Sequence, residues 1–315
     1  MPRPRPSPLT TADATLDAGV IPPRSVPAAV LVAMLAHTAL SAGTHLVAKR
    51  ATGEFPPLLL VSLRLTLSMG VFLGVLRALP GPRLPPRGTW LKLLALGALA
   101  GPLNQGLFLF GLSRSRATHG GLFYGLTPAG VYLVAVWLGR ERARVSRFLG
   151  IALALVGVVV LLLGHGLKEA MGPLWGDVFL LAAVAAWVAV TTESRDLAMA
   201  HGGLKVSAWT LIGGGLIGLP ALPLALIEEG AVLPSVSPTG WACLVYLVLL
   251  TSVVSYALWN FALSRVPSSK VAVFTNLQPV ATAFAAWLLL GEPMTWEVLL
   301  GGGLVLLGVR LAQRP

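Results

Sequence analysis

The stretch FGLSRSRATHGGLFYGLTP, residues 110–128, returns as FALSRVPSSKVAVFTNLQP, residues 261–279, displaced by 151 positions without a gap. Phe110, Leu112, Ser113 and Arg114 meet Phe261, Leu263, Ser264 and Arg265, and Phe123, Leu126 and Pro128 meet Phe274, Leu277 and Pro279. The same register continues through Leu138 with Leu289, Glu141 with Glu292, Gly150 with Gly301 and Gly157 with Gly308. Apolar bias produces chance matches among leucines. It does not produce a common register of proline, glutamate and glycine, so the chain is a duplication.

What is duplicated follows from composition. Of 315 residues, 56% are apolar, and the 35 glycines bring the share to about two thirds, while only 11% are charged. A soluble chain carries about 25% charged residues, so this one lacks the polar surface to solvate a globule, and a soluble enzyme is excluded. Apolar runs occupy 28–48, 58–79, 93–112, 120–138, 148–164, 176–192, 206–227, 241–263, 271–290 and 296–311. They are too long and too continuous for the alternating strands of a membrane barrel. Near the length a membrane helix needs, about 20 residues, they predict an all-α polytopic membrane protein of ten transmembrane helices. Five runs per half is an odd number, which predicts two inverted five-helix repeats, an arrangement common among alternating-access transporters. The expected organisation is a disordered cytoplasmic tail over 1–25 and repeats over 26–164 and 176–312.

The net charge of +11 does not point to nucleic acid, because Lys and Arg sit in short clusters between apolar runs and not along one face. With the N-terminus inside, the inner segments hold 17 of the 23 basic residues and the outer loops five, with Arg64 inside the second run. The bias of Lys and Arg toward cytoplasmic loops then predicts that both termini are cytoplasmic. Trp90, Trp137, Trp175, Trp241 and Trp296 fall at run ends, suited to the headgroup level; Trp187 and Trp259 do not. The single Cys243 excludes a disulfide framework and a cysteine-ligated metal.

The residues Ser255–Pro279, SYALWNFALSRVPSSKVAVFTNLQP, followed by LLLGEPMTWEVLLGGGLVLLGV from Leu288, resemble the EamA family of the drug/metabolite transporter superfamily. In the first half LTP at 126–128, Glu141, the glycine-spaced fifth run and GTHLVAK at 43–49 match more loosely, with Ala42 where the family often has tryptophan and Arg140 interrupting the Gly139, Glu141 pair. The resemblance spans 28–311. It implies export or exchange of a small-molecule metabolite across a bacterial inner (plasma) membrane, with no cofactor, and it fixes neither the cargo nor the choice between monomer and homodimer.

Polar residues inside apolar runs are costly unless they face a wet interior, so their spacing predicts a cavity. His37, Ser41, Thr44 and Ala48 form one helical stripe with His45 beside it; Ser252, Ser255, Tyr256 and Trp259 form another at i, i+3, i+4 and i+7. Thr127 with Pro128 and Gln278 with Pro279 are repeat-related, near Tyr124 and Asn276, and each proline leaves a carbonyl without its helix partner. Asn104 and Gln105 follow Pro102, and Trp187 and Trp259 supply aromatic walls. Bonding of Ser and Thr to their own helix carbonyls, interhelical packing and simple bulk are the competing accounts. Arg64 has two readings: its side chain snorkels or bonds carbonyls, or it attracts an anionic group on the cargo.

All twelve acidic residues fall in tails, loops or run ends. A carboxylate-driven proton antiporter is therefore disfavoured and downhill export expected; if protons couple, His37 or His45 must carry them. Glu141 and Glu292 are expected to cap the start of the helix that follows each. Gly70 with Gly74, Gly97 with Gly101 and Gly121 with Gly125 are small-residue pairs suited to close helix contact, and Gly213–Gly215 weakens its helix. No HExxH, paired intramembrane carboxylates or activated nucleophile is present, so an intramembrane enzyme lacks its tools. The leading function is an exporter of amino acids or similar small metabolites; the alternatives are efflux of drugs or cationic compounds and translocation of a lipid-linked sugar.

Overall fold

The computed structural model describes residues 27–139, 145–163 and 171–312. The expected tail and the Arg140 to Arg144 cluster, with Glu141, lie outside them. The described chain is all helical: α1 Ala28–Ala51, α2 Pro57–Ala78, α3 Arg87–Arg114, α4 Ala117–Trp137, α5 Val145–Leu163, α6 Leu174–His201, α7 Gly203–Gly218, α8 Ala221–Ser235, α9 Pro238–Leu263, α10 Lys270–Leu290 and α11 Trp296–Ala312. Local chemistry sets several boundaries. Pro57 and Pro238 open α2 and α9, where a missing N–H costs nothing and φ is already helical. The Ser237 hydroxyl accepts from Gly240 N at 3.1 Å, an N-cap. Gly202, at φ +84°, turns α6 directly into α7.

The expectation of ten transmembrane helices in two inverted five-helix repeats is not met. Among the described residues seven helices are long and apolar enough to cross a membrane, or eight if α7 and α8, bent by 54°, form one broken span. The apolar windows 148–157 and 296–308, in α5 and α11, are shorter. Counting runs takes each apolar stretch as a full span, whereas these two windows fall short of the length a span needs; the two helices pack along a glycine-lined seam while Phe148, Leu149, Leu155, Trp296, Leu299 and Leu307 stay exposed. A Cβ on Gly157 would lie 2.6 Å from the Gly301 carbonyl and 2.7 Å from Val305 N, and Gly308 sits on Gly150 and Ala154. The inversion deduced from five spans per half loses its premise with the count.

The 151-residue register nevertheless has a spatial counterpart. Elements that correspond in sequence meet in space: α2 packs on α7, α4 on α10, and α5 on α11, while the α1 to α9 contact mirrors that of α6 with α3. Glycines permit the closest approaches. A Cβ on Gly97 would lie 2.6 Å from Gly214 N, and one on Gly121 2.6 Å from Thr282 Cβ. Gly70 and Gly74, by contrast, face open space, so that pair is no helix contact, and Gly213 and Gly214 serve the α3 to α7 seam. The interfacial tryptophans Trp90, Trp137, Trp175, Trp241 and Trp296 are all exposed, whereas Trp259 is fully buried.

The helix ends form two chemically different faces. One, the acidic end, gathers Glu54, Glu229 and Glu292; the other, the basic end, gathers Arg77, Arg83, Lys92, Lys205 and Arg265. At the acidic end each glutamate reaches across to the start of another helix. Glu229 accepts from Leu59 N at 2.9 Å, and Glu54 from Ser237 N and its hydroxyl, both at 2.9 Å. Glu292 accepts from Ala117 N, Thr118 N and the Thr118 hydroxyl at 2.8, 3.1 and 2.6 Å. Glu292 thus caps α4, not α11 as a local reading expects. A carboxylate at a helix N-terminus satisfies donors left over by the helix and complements its dipole.

Candidate functional site

Two helices widen where they pass the centre of the bundle. In α3 the segment Leu99–Gly106 is π-helical around Pro102, and in α9 the segment Tyr246–Ser255 is π-helical as well. Pro102 has no N–H to give the carbonyl one turn back, which accounts for the first; nothing in the local sequence accounts for the second. Segments of this kind recur at functional sites because they re-aim side chains. Here both face one cavity, with about 630 Å³ of space between atoms, some of it open to solvent.

The cavity gathers His37, Thr44, His45, Asn104, Gln105, Tyr124, Trp187, Ser255, Tyr256, Gln278 and Arg64, all expected from sequence. Ser41 and Ser252, from the same two stripes, line it too. Thr127 does not; its hydroxyl donates to its own helix at Tyr124 O, 2.7 Å away. Trp259 lies behind the wall, with its ring centroid 4.7 Å from that of His37 and 5.3 Å from that of Trp187. The side chain of Asn276 is outside the described part of the structure. Thr251, Phe108 and Ala100 also line the cavity and were not singled out. Thr251 stands at i, i+4 from Ser255, one position to the side of the stripe, and shares its face.

Hydrogen bonds hold the wall in a fixed arrangement. His37 Nδ1 lies 3.0 Å from the Ser255 carbonyl and 2.8 Å from the Ser255 hydroxyl, and Nε2 lies 3.3 Å from the Ser41 hydroxyl. Thr44 and Thr251 hydroxyls pair at 2.8 Å, joining α1 to α9. Asn104 Nδ2 donates to the Tyr124 hydroxyl and to Ala183 O, each at 2.8 Å, joining α3 to α4 and α6. His45 stacks edge-on against Phe108 and Tyr124, with centroids 5.4 Å apart in both pairs. Arg64 does not snorkel. It is 4% exposed, its Nε donates to the Ser252 hydroxyl at 2.9 Å, and its Nη1 has no partner. No Asp or Glu lines the cavity.

One of the run-end acids is buried, although not in the cavity. Asp177, one residue inside the sixth run, is 1% exposed and meets His119 Nδ1 at 3.0 Å, with the Ser115 hydroxyl donating to its other oxygen. Lys49 Nζ donates to the carbonyls of Leu112 and Ser115. The cluster ties the ends of α1 and α3 to the starts of α4 and α6. It adjoins the cavity through Gly120, whose Cα packs on the His45 ring. Sequence reasoning placed Asp177 at a water-facing run end because its partner lies 58 residues away in another helix. Among the described residues no three His, Cys, Asp or Glu side chains converge as a metal site would require.

Comparison with known proteins adds the following. Residues 28–163 and 174–313 each match the EamA-like transporter family. A protein of Streptantibioticus cattleyicolor named "probable terminal-alkyne amino-acid exporter" is 31% identical over 73% of this chain and 75% of its own. One of Salmonella typhimurium named "probable amino-acid metabolite efflux pump" is 29% identical over 81% and 85%. A crystal structure aligns over 91% of this chain and 99% of its own, with a TM-score of 0.63 and 22% identity, a likeness of fold alone.

Proposed function

The chain belongs to the EamA-like transporter family, within the drug/metabolite transporter superfamily, and is a multi-pass membrane transporter; from that premise we propose that it exports amino acids or similar small metabolites downhill across a bacterial inner membrane, with both termini cytoplasmic. Its working organisation is two repeats, 26–164 and 176–312, behind a cytoplasmic tail over 1–25. The basic end then faces the cytoplasm, which is where Lys and Arg accumulate, and the acidic end faces out. The two relatives named for amino-acid export support the cargo class.

The cavity is the cargo site in this reading, opening to one end and then the other. The observation that carries it is Arg64: a buried guanidinium on the cavity wall, held through Nε and unpartnered at Nη1. An uncompensated buried cation is expensive, and a cargo carboxylate supplies the missing charge. The lack of a cavity carboxylate tells against cationic drugs as cargo, since nothing there balances a lone positive charge. Asp177 sits outside the cavity wall with its partners already made, so it offers cargo no open countercharge.

The test is counterflow in proteoliposomes loaded with a mixture of amino acids. Wild-type protein is expected to accumulate labelled amino acid, and Arg64→Gln to lose at least about tenfold of that rate, the worth of a hydrogen bond to a charged group, while eluting as a folded species. Full transport of every carboxylate-bearing solute by Arg64→Gln would dispose of the proposal.

A further inference from the structure

The cavity-lining side chains with unpartnered polar atoms are His45, Arg64, Gln105, Gln278 and Tyr256, whose hydroxyl can both donate and accept. Arg64 Nη1 can only donate, whereas Gln105 Oε1 and Gln278 Oε1 can only accept, and all three side chains are more than nine-tenths buried. His45 Nδ1, equally buried, is unpartnered too. Buried polar atoms in folded proteins are nearly always bonded, and here they converge on one cavity. An anion alone would answer Arg64 and leave the amide oxygens bare; a cation alone would do the reverse.

We propose that the cavity recognises the two charged groups of a neutral α-amino acid separately, the carboxylate by Arg64 and the ammonium by the side-chain oxygens of Gln105 and Gln278. The inference rests on the export reading above and narrows its cargo. Ammonium hydrogens meet these two oxygens; His45 Nδ1 is turned toward Gly120, where an added Cβ would lie 3.0 Å from it. The Ser252 hydroxyl fixes the guanidinium through Nε, which leaves the Nη1 edge for the carboxylate. Gln105 follows Pro102 in the first π-helical segment, and Gln278 precedes the repeat-related Pro279, so one polar contact comes from each half of the duplication. Neutral amide oxygens hold an ammonium without a countercharge in the cavity. The remaining wall is aromatic, from Phe108, Tyr124 and Trp187, and takes an apolar side chain and the partial charge of the ammonium on ring faces. Neither a simple carboxylate nor a simple amine uses both sets.

The experiment is competition against counterflow of labelled L-leucine in proteoliposomes, with unlabelled L-leucine, 4-methylpentanoate (the same skeleton without the amine) and 3-methylbutylamine (without the carboxylate). In wild-type protein both truncated compounds should compete at least about tenfold more weakly than L-leucine, the loss expected for one missing charge-assisted contact. In Gln105→Leu/Gln278→Leu the gap between L-leucine and 4-methylpentanoate should close. Thermal unfolding of the variant in detergent, with the same competitors added, gives a second readout of binding should transport be slow. Equal competition by either truncated compound in wild-type protein, an unchanged gap in the double variant, or no counterflow of L-leucine would overturn the inference. Failure of every amino acid to counterflow in the earlier mixture would instead overturn the export reading itself, so the two are separable.

Discussion

The two ends of the bundle around the cavity are held together by different physics. At the acidic end the hold is polar and directional: Asp177 with His119 and Ser115, Lys49 on two carbonyls, and three glutamates each capping a helix across the bundle. At the basic end the hold is apolar and isotropic. Trp259 sits fully buried among Val30, Met34, Ala262, Leu263 and Val271, with Trp187 stacked against it. Directional bonds are either made or broken, whereas dispersion and apolar burial fade gradually with separation.

The largest expected effects are two truncations, one at each end. Asp177→Ala strips His119 and Ser115 of a shared buried partner, and removing one member of a buried pair costs about 3–5 kcal/mol. Trp259→Ala empties the largest fully buried side chain at a similar cost of about 3–5 kcal/mol. The difference lies in rescue. Asp177→Asn keeps an acceptor for Ser115 and a partner for the imidazole and should recover a good part of the loss, whereas Trp259→Phe should recover only what its smaller volume refills. Thermal unfolding in detergent at pH 7 reads all four. If Asp177→Ala unfolds at the wild-type temperature, the polar cluster does not hold that end together, and the comparison fails.

The sequence made most of the cavity legible and little of what holds the ends together, for one reason. Membrane burial makes each polar residue in an apolar run conspicuous, so His37, Asn104, Gln105, Ser255 and Gln278 stand out one by one. Their helices then bring them together. Thr127 shares that signature but spends its hydroxyl on its own helix, a choice that depends on a rotamer and leaves no trace in the spelling. The ends depend on pairs. Asp177 at a run end is indistinguishable from a solvated acid until His119 is found beside it, and Glu292 looks like a local cap until α4 arrives under it. The span count failed for a different reason: the apolar windows of α5 and α11 are shorter than a span, and their pairing rests on Gly157 and Gly308, a relation between two segments that composition reads as two independent facts.

The smallest effect is also the one that tests acid sensitivity most cleanly, because it lies outside the membrane-spanning segments. The Glu54 carboxyl is held below the usual carboxylate range by the Ser237 hydroxyl, then by the Ser237 N–H, against an opposing effect of desolvation, with the Arg50 guanidinium adding the smallest share. A depressed folded-state value means that ionised Glu54 favours the fold; that contribution is complete above the ordinary carboxylate range and is lost as the pH falls through the lower, folded value. Arg50 is exposed and its ion pair with Glu54, at 2.9 Å, is screened by solvent and salt, so the hydrogen bonds to Ser237 carry the effect. Comparing melting temperatures at pH 7 and pH 4, wild-type protein should lose more on acidification than Glu54→Gln, which cannot titrate. Ser237→Ala, which removes the leading donor and the cap on α9, should shrink the same difference while leaving the Arg50 pair in place. An identical acid response in wild-type and Glu54→Gln proteins would mean that the Glu54 cap makes no contribution to stability that acid removes.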